Sequence, residues 1–180
     1  WANAQLTWRL SYDSGTSGDV SDDVWIYEYV FDNNTRVDGS AASALSHMTI
    51  EVSDNFVLAD DLVIGGTTSF EGLGPDPTSP LGEDGNVNDG LEWALKFDAG
   101  TSEFTAVVTS TRNPMWGDIY LKDGKQDGGT IEVQGWNSGY FAADPDLVTY
   151  PITQNMTVAP GWGWVAVPDT EQIQPPAVPE

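Results

Sequence analysis

The sequence predicts an all-β fold: an antiparallel β-sandwich, jelly-roll-like, with a Pro-rich C-terminal tail. Three observations carry this expectation. Apolar residues recur with a period of two rather than 3.6. Clusters of Gly, Asn, Asp and Ser separate the alternating runs. No segment combines helix length, helix period and a cap. "SAASALSHM" has some helical propensity but leads directly into a strand.

Taken in order, "LTWRLSY" sets Leu6, Trp8, Leu10 and Tyr12 on one face. "VWIYEYVF" is apolar on both faces, so Val24 to Phe31 is expected at the centre of a sheet. "HMTIEVS" alternates Met48, Ile50 and Val52. "LEWALKF" alternates Leu91, Trp93, Leu95 and Phe97 against Glu92 and Lys96, and "EFTAVVTS" groups Phe104, Ala106 and Val108. Apart from the central run, each of these reads as a strand with one wet face. "TIEVQGW" and "WGWVAV" supply later strands. Hairpin turns are expected between Phe97 and Phe104 and between Tyr120 and Ile131. A long loop, "GLGPDPTSPLGEDGNVNDG", runs from Gly72 to Gly90; loops of that length are usually functional or mobile. Residues 1–167 form the expected sandwich domain, and 168–180 read as a Pro-rich tail.

Composition excludes several function classes. Six basic residues face 28 acidic ones, a formal net charge of -22, so nucleic acid and anionic membranes repel the chain. The absence of cysteine removes disulfides, thiolate metal sites and cysteine nucleophiles. No run of apolar residues has the length of a membrane-spanning helix, so no membrane insertion is expected in this form. The chain opens at Trp1 without an initiator Met or signal peptide, which reads as already processed or trimmed.

His47 is the only histidine, and no G-x-S-x-G elbow exists, so neither a Ser-His-Asp triad nor a multi-histidine zinc site is expected. Paired carboxylates of a glycosidase need a cleft, and with 28 acids some pair always looks suitable. We therefore expect no enzyme. Oxygen ligands for calcium are offered by "EDGNVNDG", where Asp84, Asn86 and Asn88 stand two apart with Asp89 adjacent. The fit to an EF-hand loop is incomplete, because Asp89 stands where that loop has Gly and Leu95 where it has Glu. An ordinary turn uses the same residues. Trp116, Trp136, Trp162 and Trp164 are candidates for a sugar-stacking platform, with "GWGW" foremost: Trp162 and Trp164 share one strand face, and the glycines leave their rings uncrowded. The alternative is core and sheet-edge packing.

Several stretches in order are together similar to one family: "YEYVFDNNT", "LSHMTIEVSDNF", "SFEGLGPDP", "GLEWALKFD", "RNPMWGDIYLKDGKQDGG", "GWNSGYF" and finally "VPDT" with the closing "AVPE". The series resembles the extracellular domains of PEP-CTERM proteins, the bacterial substrates of exosortase. The most specific pieces are "SHMTIEVSDNF" and "MWGDIYLKDGK", and the resemblance covers most of the chain from Tyr27. Val178, Pro179 and Glu180 match the first three positions of that family's Val-Pro-Glu-Pro motif, while its last Pro, its helix and its basic cluster do not follow. The resemblance implies secretion to the surface or surroundings of a Gram-negative bacterium that makes exopolysaccharide, with a soluble part ending at Glu180. It implies no reaction and no catalytic residues.

The function expected from all this is a non-enzymatic, secreted surface or matrix protein. A carbohydrate-binding module for exopolysaccharide is the alternative, and a polysaccharide-cleaving enzyme comes third. The tail has too few apolar residues to offset its own ordering entropy, so an ordered tail needs a partner. A terminal segment adding to the open edge of a neighbouring sandwich supplies one, and repetition gives a filament. Trp1, Gln5, Ile173 and Val178 are the residues expected at such contacts.

Overall fold

The computed structural model describes residues 5–19, 23–33, 44–52, 56, 63–66, 69–74, 94–123, 134–140, 142–153, 155–158 and 163–168. These contain no helix. The strands are β1 (Gln5–Asp13), β2 (Val24–Asp32), β3 (Leu45–Glu51), β4 (Val63–Gly66), β5 (Ser69–Gly74) and β6 (Ala94–Thr101). They continue with β7 (Glu103–Ser110), β8 (Pro114–Gly117), β9 (Ile119–Asp123), β10 (Gln134–Trp136), β11 (Thr157–Val158) and β12 (Val165–Pro168). One five-stranded sheet has the order β11-β1-β2-β7-β4, the other β10-β9-β3-β6-β5, and β12 pairs with β8. Every pairing is antiparallel.

The period-two pattern places the core. In β2, Trp25, Tyr27, Tyr29 and Phe31 are buried, and the strand occupies the centre of its sheet as its sequence requires. Phe104, Ala106 and Val108 of β7 point the same way. Trp8 and Leu10 of β1 join them, and Leu45, Met48, Ile50, Leu95, Phe97 and Ile119 enter from the other sheet. Both sheets thus share one apolar cluster, the arrangement of a β-sandwich-like fold. β12 lies within that cluster with all four residues buried, and the Tyr29 hydroxyl donates to the Ala166 carbonyl at 2.7 Å.

Three expectations are corrected. The turn between Phe97 and Phe104 closes no hairpin. β6 pairs with β3 and β5, β7 with β2 and β4, so the chain crosses from one sheet to the other at Ser102. The corner has a physical cause. Gly100 adopts φ +64°, Thr101 Oγ1 donates to the Glu103 carbonyl, and the Asn33 amide fastens Ser102 to the end of β2 at 2.9 Å. Second, β3 has no wet face along its middle, because His47 and Thr49 are buried as well as Met48 and Ile50. On that outer side Tyr140 packs against Ala94 and Tyr120, and Tyr120 stands opposite Thr49. Third, Gly72 to Gly74 belong to β5 rather than to a loop, and Pro168, grouped with the tail by composition, is the buried last residue of β12.

The expected hairpin after Tyr120 is present, with Tyr120 opposite Trp136 and Lys122 opposite Gln134. A hairpin also joins β1 to β2, in register from Asp13–Val24 to Gln5–Asp32. Among the described residues, no helix is long and apolar enough to cross a membrane.

Candidate functional site: an acidic and aromatic corner

Among the described residues, buried polar groups meet where β8 passes into β9. Asp118 is the hinge residue between the two strands, and it is 9% exposed. Its backbone exchanges hydrogen bonds with Glu51 at the end of β3. The Glu51 amide donates to the Asp118 carbonyl at 3.0 Å, and the Asp118 amide donates to Glu51 Oε2 at 2.8 Å. Gly117 suits this spot, since a Cβ there would lie 2.9 Å from that same carboxylate oxygen and 2.7 Å from Val167.

Asn137, the residue after β10, completes the junction. Its Oδ1 accepts from the Ile119 amide at 2.9 Å. Its Nδ2 donates to Asp118 Oδ1 at 2.5 Å and to the Gly163 carbonyl at 2.7 Å. Both protons of the amide are therefore used, and a buried side chain is satisfied as burial demands. The Gly139 amide adds a bond to the same Gly163 carbonyl at 2.6 Å. The Asn137 side chain thus ties the β8–β9 hinge and the turn after β10 to the lead into β12, and Glu51 joins β3 to the same hinge.

The electrostatics follow from burial. Loss of solvation raises the Asp118 carboxyl above the usual carboxylate range, and the bond from Asn137 works against that rise. Asp144, on the segment after the turn, is pushed up to about 6, first by desolvation and then by the charge of Asp118. Its residue surface is still largely in water, so solvent screens this repulsion. Asp146 behaves oppositely. Its carboxylate accepts from the amides of Val148 and Thr149 and from the Thr149 hydroxyl, which holds it below the usual range.

Aromatic rings border the corner. Trp136 is 46% exposed, with its ring 6.1 Å from that of Tyr140. Trp164 precedes β12 instead of lying on it, and it packs partly buried against the core. Its indole nitrogen is buried without a hydrogen-bond partner, and a Cβ on Gly139 would stand 2.7 Å from it. Trp116 is buried and donates to the Tyr150 carbonyl at 2.8 Å. Of the tryptophans proposed as a platform, the one the described structure offers to solvent is therefore Trp136. Trp162 lies outside the described residues, as do Asp84, Asn86, Asn88 and Asp89, and Trp1, Ile173 and Val178. Among the described residues no group of three His, Cys, Asp or Glu side chains is placed to hold a metal ion. Gln5 is described: it is exposed and opens β1 opposite Asp32.

Sequence reasoning treated "WNSGYF" as a turn and passed over Asn137 and Asp118. The signal that could have found them is slight: an Asn directly after a strand, and an Asp between two short apolar runs.

Comparison with family models, curated proteins and solved structures returned no match.

Proposed function

We propose that this chain is a non-enzymatic, secreted surface or extracellular-matrix protein of a Gram-negative bacterium, of the exosortase-sorted kind it resembles, and that it self-associates by strand addition. The observation that supports this most is the pairing of β1. All nine of its residues are in register with β2, whereas only Trp8 and Arg9 are in register with β11. The Leu10 amide also donates to the Met156 carbonyl at 2.8 Å. Among the described residues no strand lies beside the rest of this outer edge, and an extended segment of another copy adding there is the strand addition proposed. The Asp118 carboxylate is bound into a structural junction, which also fits a non-catalytic chain. The experiment is sedimentation of the full chain and of chains lacking residues 1–5 or 169–180. Assembly of the full chain alone is the expected result. Identical monomers in all three would end the reading.

A second reading, a carbohydrate-binding module for exopolysaccharide, is favoured by the exposed indole of Trp136 beside a carboxylate-rich corner. Rings bind sugar faces and carboxylates accept from sugar hydroxyls, so the chemistry is appropriate. For calcium we retain Asp84, Asn86, Asn88 and Asp89. A native-state ligand raises the melting temperature, so millimolar calcium should raise it in the wild type and not in Asp84→Ala. A wild-type melt indifferent to calcium and to chelator would leave those residues as a turn.

A further inference from the structure

Resting on the self-association read above, we propose that the turn 146–150, with the Tyr12 end of β1, is the place where residues 172–179 of a second copy dock. Four large hydrophobic side chains are exposed among the described residues, and three of them, Leu147, Val148 and Tyr150, stand in this one turn. Val148 is 94% exposed. Single apolar side chains in water are ordinary, whereas three on one turn make a patch. The turn is also held in shape. The Asp146 carboxylate accepts from the amides of Val148 and Thr149 at 3.0 and 2.8 Å and from the Thr149 hydroxyl at 3.0 Å. The Asp146 carbonyl accepts from the Tyr150 amide at 3.0 Å, and Trp116 fastens the Tyr150 carbonyl to the body of the fold at 2.8 Å. A surface shaped before binding loses little entropy when its partner arrives.

The turn and the outer edge of β1 stand at one margin of the sandwich. The Trp116 indole that donates to Tyr150 lies 5.9 Å from the ring of Trp8 in β1. From the turn the chain passes Ile152, packed against the core, and reaches Met156, whose carbonyl accepts from the Leu10 amide. Backbone groups alternate in direction along a strand, so the amide and carbonyl of Tyr12 face the same edge as those of Leu10. Asn155 has φ +59°, which ends the extended run, and no described strand lies beside Tyr12. Charge selects the occupant. Asp144 and Asp146 flank the turn and Asp13 closes β1, so an acidic segment is repelled there and an uncharged one is not. Residues 172–179, "QIQPPAVP", carry no charge in a chain whose net charge is -22. Gln172, Ile173 and Gln174 have amides to offer the edge, and Ile173, Ala177 and Val178 bring apolar side chains to Leu147, Val148 and Tyr150. Pro175, Pro176 and Pro179 fix φ before binding, which lowers the entropy lost on docking.

The test uses the full chain. Sedimentation in about 0.1 M sodium chloride, where the screening length is about 10 Å, compares wild type with Leu147→Ser/Val148→Ser and with Ala142→Ser, an exposed change on the same segment. None of these substitutions alters the charge, so repulsion between copies is the same in all three. A fluorescent peptide of residues 169–180 is also titrated against each chain and followed by anisotropy. Wild type and Ala142→Ser are expected to assemble and to bind the peptide. The double variant is expected to remain monomeric and to bind the peptide about tenfold more weakly or worse, because two apolar side chains lose their burial. A double variant that assembles and binds the peptide as wild type does overturns this docking place and leaves self-association standing. So does a wild type that assembles without binding the peptide. A wild type that stays monomeric overturns both.

Discussion

The hydroxyl of Tyr29, at the centre of one sheet, donates to the main-chain carbonyl of Ala166 in β12 at 2.7 Å, and both residues are buried. Burial raises the Tyr29 phenol well above its ordinary range, so it stays a donor at any pH at which the protein is handled. Tyr29→Phe keeps the ring and removes the donor. Leaving a buried carbonyl without this partner costs about 1–3 kcal/mol. Urea unfolding is expected to show a lower midpoint with an unchanged slope. An unchanged midpoint would mean that the bond contributes nothing net.

Gly139 is predicted to tolerate no side chain. A Cβ there would lie 2.3 Å from the Gly163 carbonyl oxygen and 2.7 Å from the Trp164 indole nitrogen. The first contact is backbone, which cannot rotate away. Gly139→Ala should therefore destabilise by about 1–3 kcal/mol, the usual range for overpacking. Gly72→Ala meets nothing within 4 Å and serves as the control. Thermal melts that rank the two the other way would contradict the close approach of the turn to the lead into β12.

Trp136 is the ring to remove if the chain binds polysaccharide. It is exposed, while Trp164 has its indole nitrogen in the interior. An aromatic contact is worth about 0.5–1.5 kcal/mol beyond its area, so Trp136→Ala should weaken binding by about three- to tenfold. Titration of purified exopolysaccharide against both proteins measures this directly. Binding that survives Trp136→Ala intact would move the search away from this corner.

Self-association of a chain with a net charge of -22 must overcome its own repulsion. The screening length shortens from about 30 Å at 10 mM salt to about 10 Å at 0.1 M. The assembled fraction is therefore expected to rise with sodium chloride over that range. Light scattering at constant protein concentration measures it. Assembly that weakens with salt would point to ionic contacts instead of backbone pairing.

Much of the fold is legible in the sequence because burial alternates along a strand. The side chains of β1, β2 and β7 announce their inner face, and the two-sided apolar run of β2 announces its central place. Which sheet a strand joins is not legible in the same way. "FDAGTSEF" has the Gly, Asp and Ser of a hairpin turn, yet β6 and β7 enter different sheets. What decides is the anchoring of Ser102 by Asn33, a contact between residues far apart in the chain. The acidic corner was hidden for the same reason. Asp118, Asn137 and Gly163 gain meaning only from one another, and each alone is an unremarked polar or small residue in a turn. The burial of β3 on both sides was missed because Tyr120, which stands opposite Thr49, and Tyr140, which packs with Tyr120, follow it by some seventy and ninety positions.

The placement of β12 also sets a schedule. Tyr29 waits for Ala166, which is separated from it by 137 positions, and Val165 to Val167 are buried members of the shared cluster. Until those residues have left the ribosome, the two sheets enclose an unfilled space, and the early strands cannot close on a finished interior. Contacts so distant in sequence also form slowly. An emerging chain of this kind completes its interior only when β12 arrives.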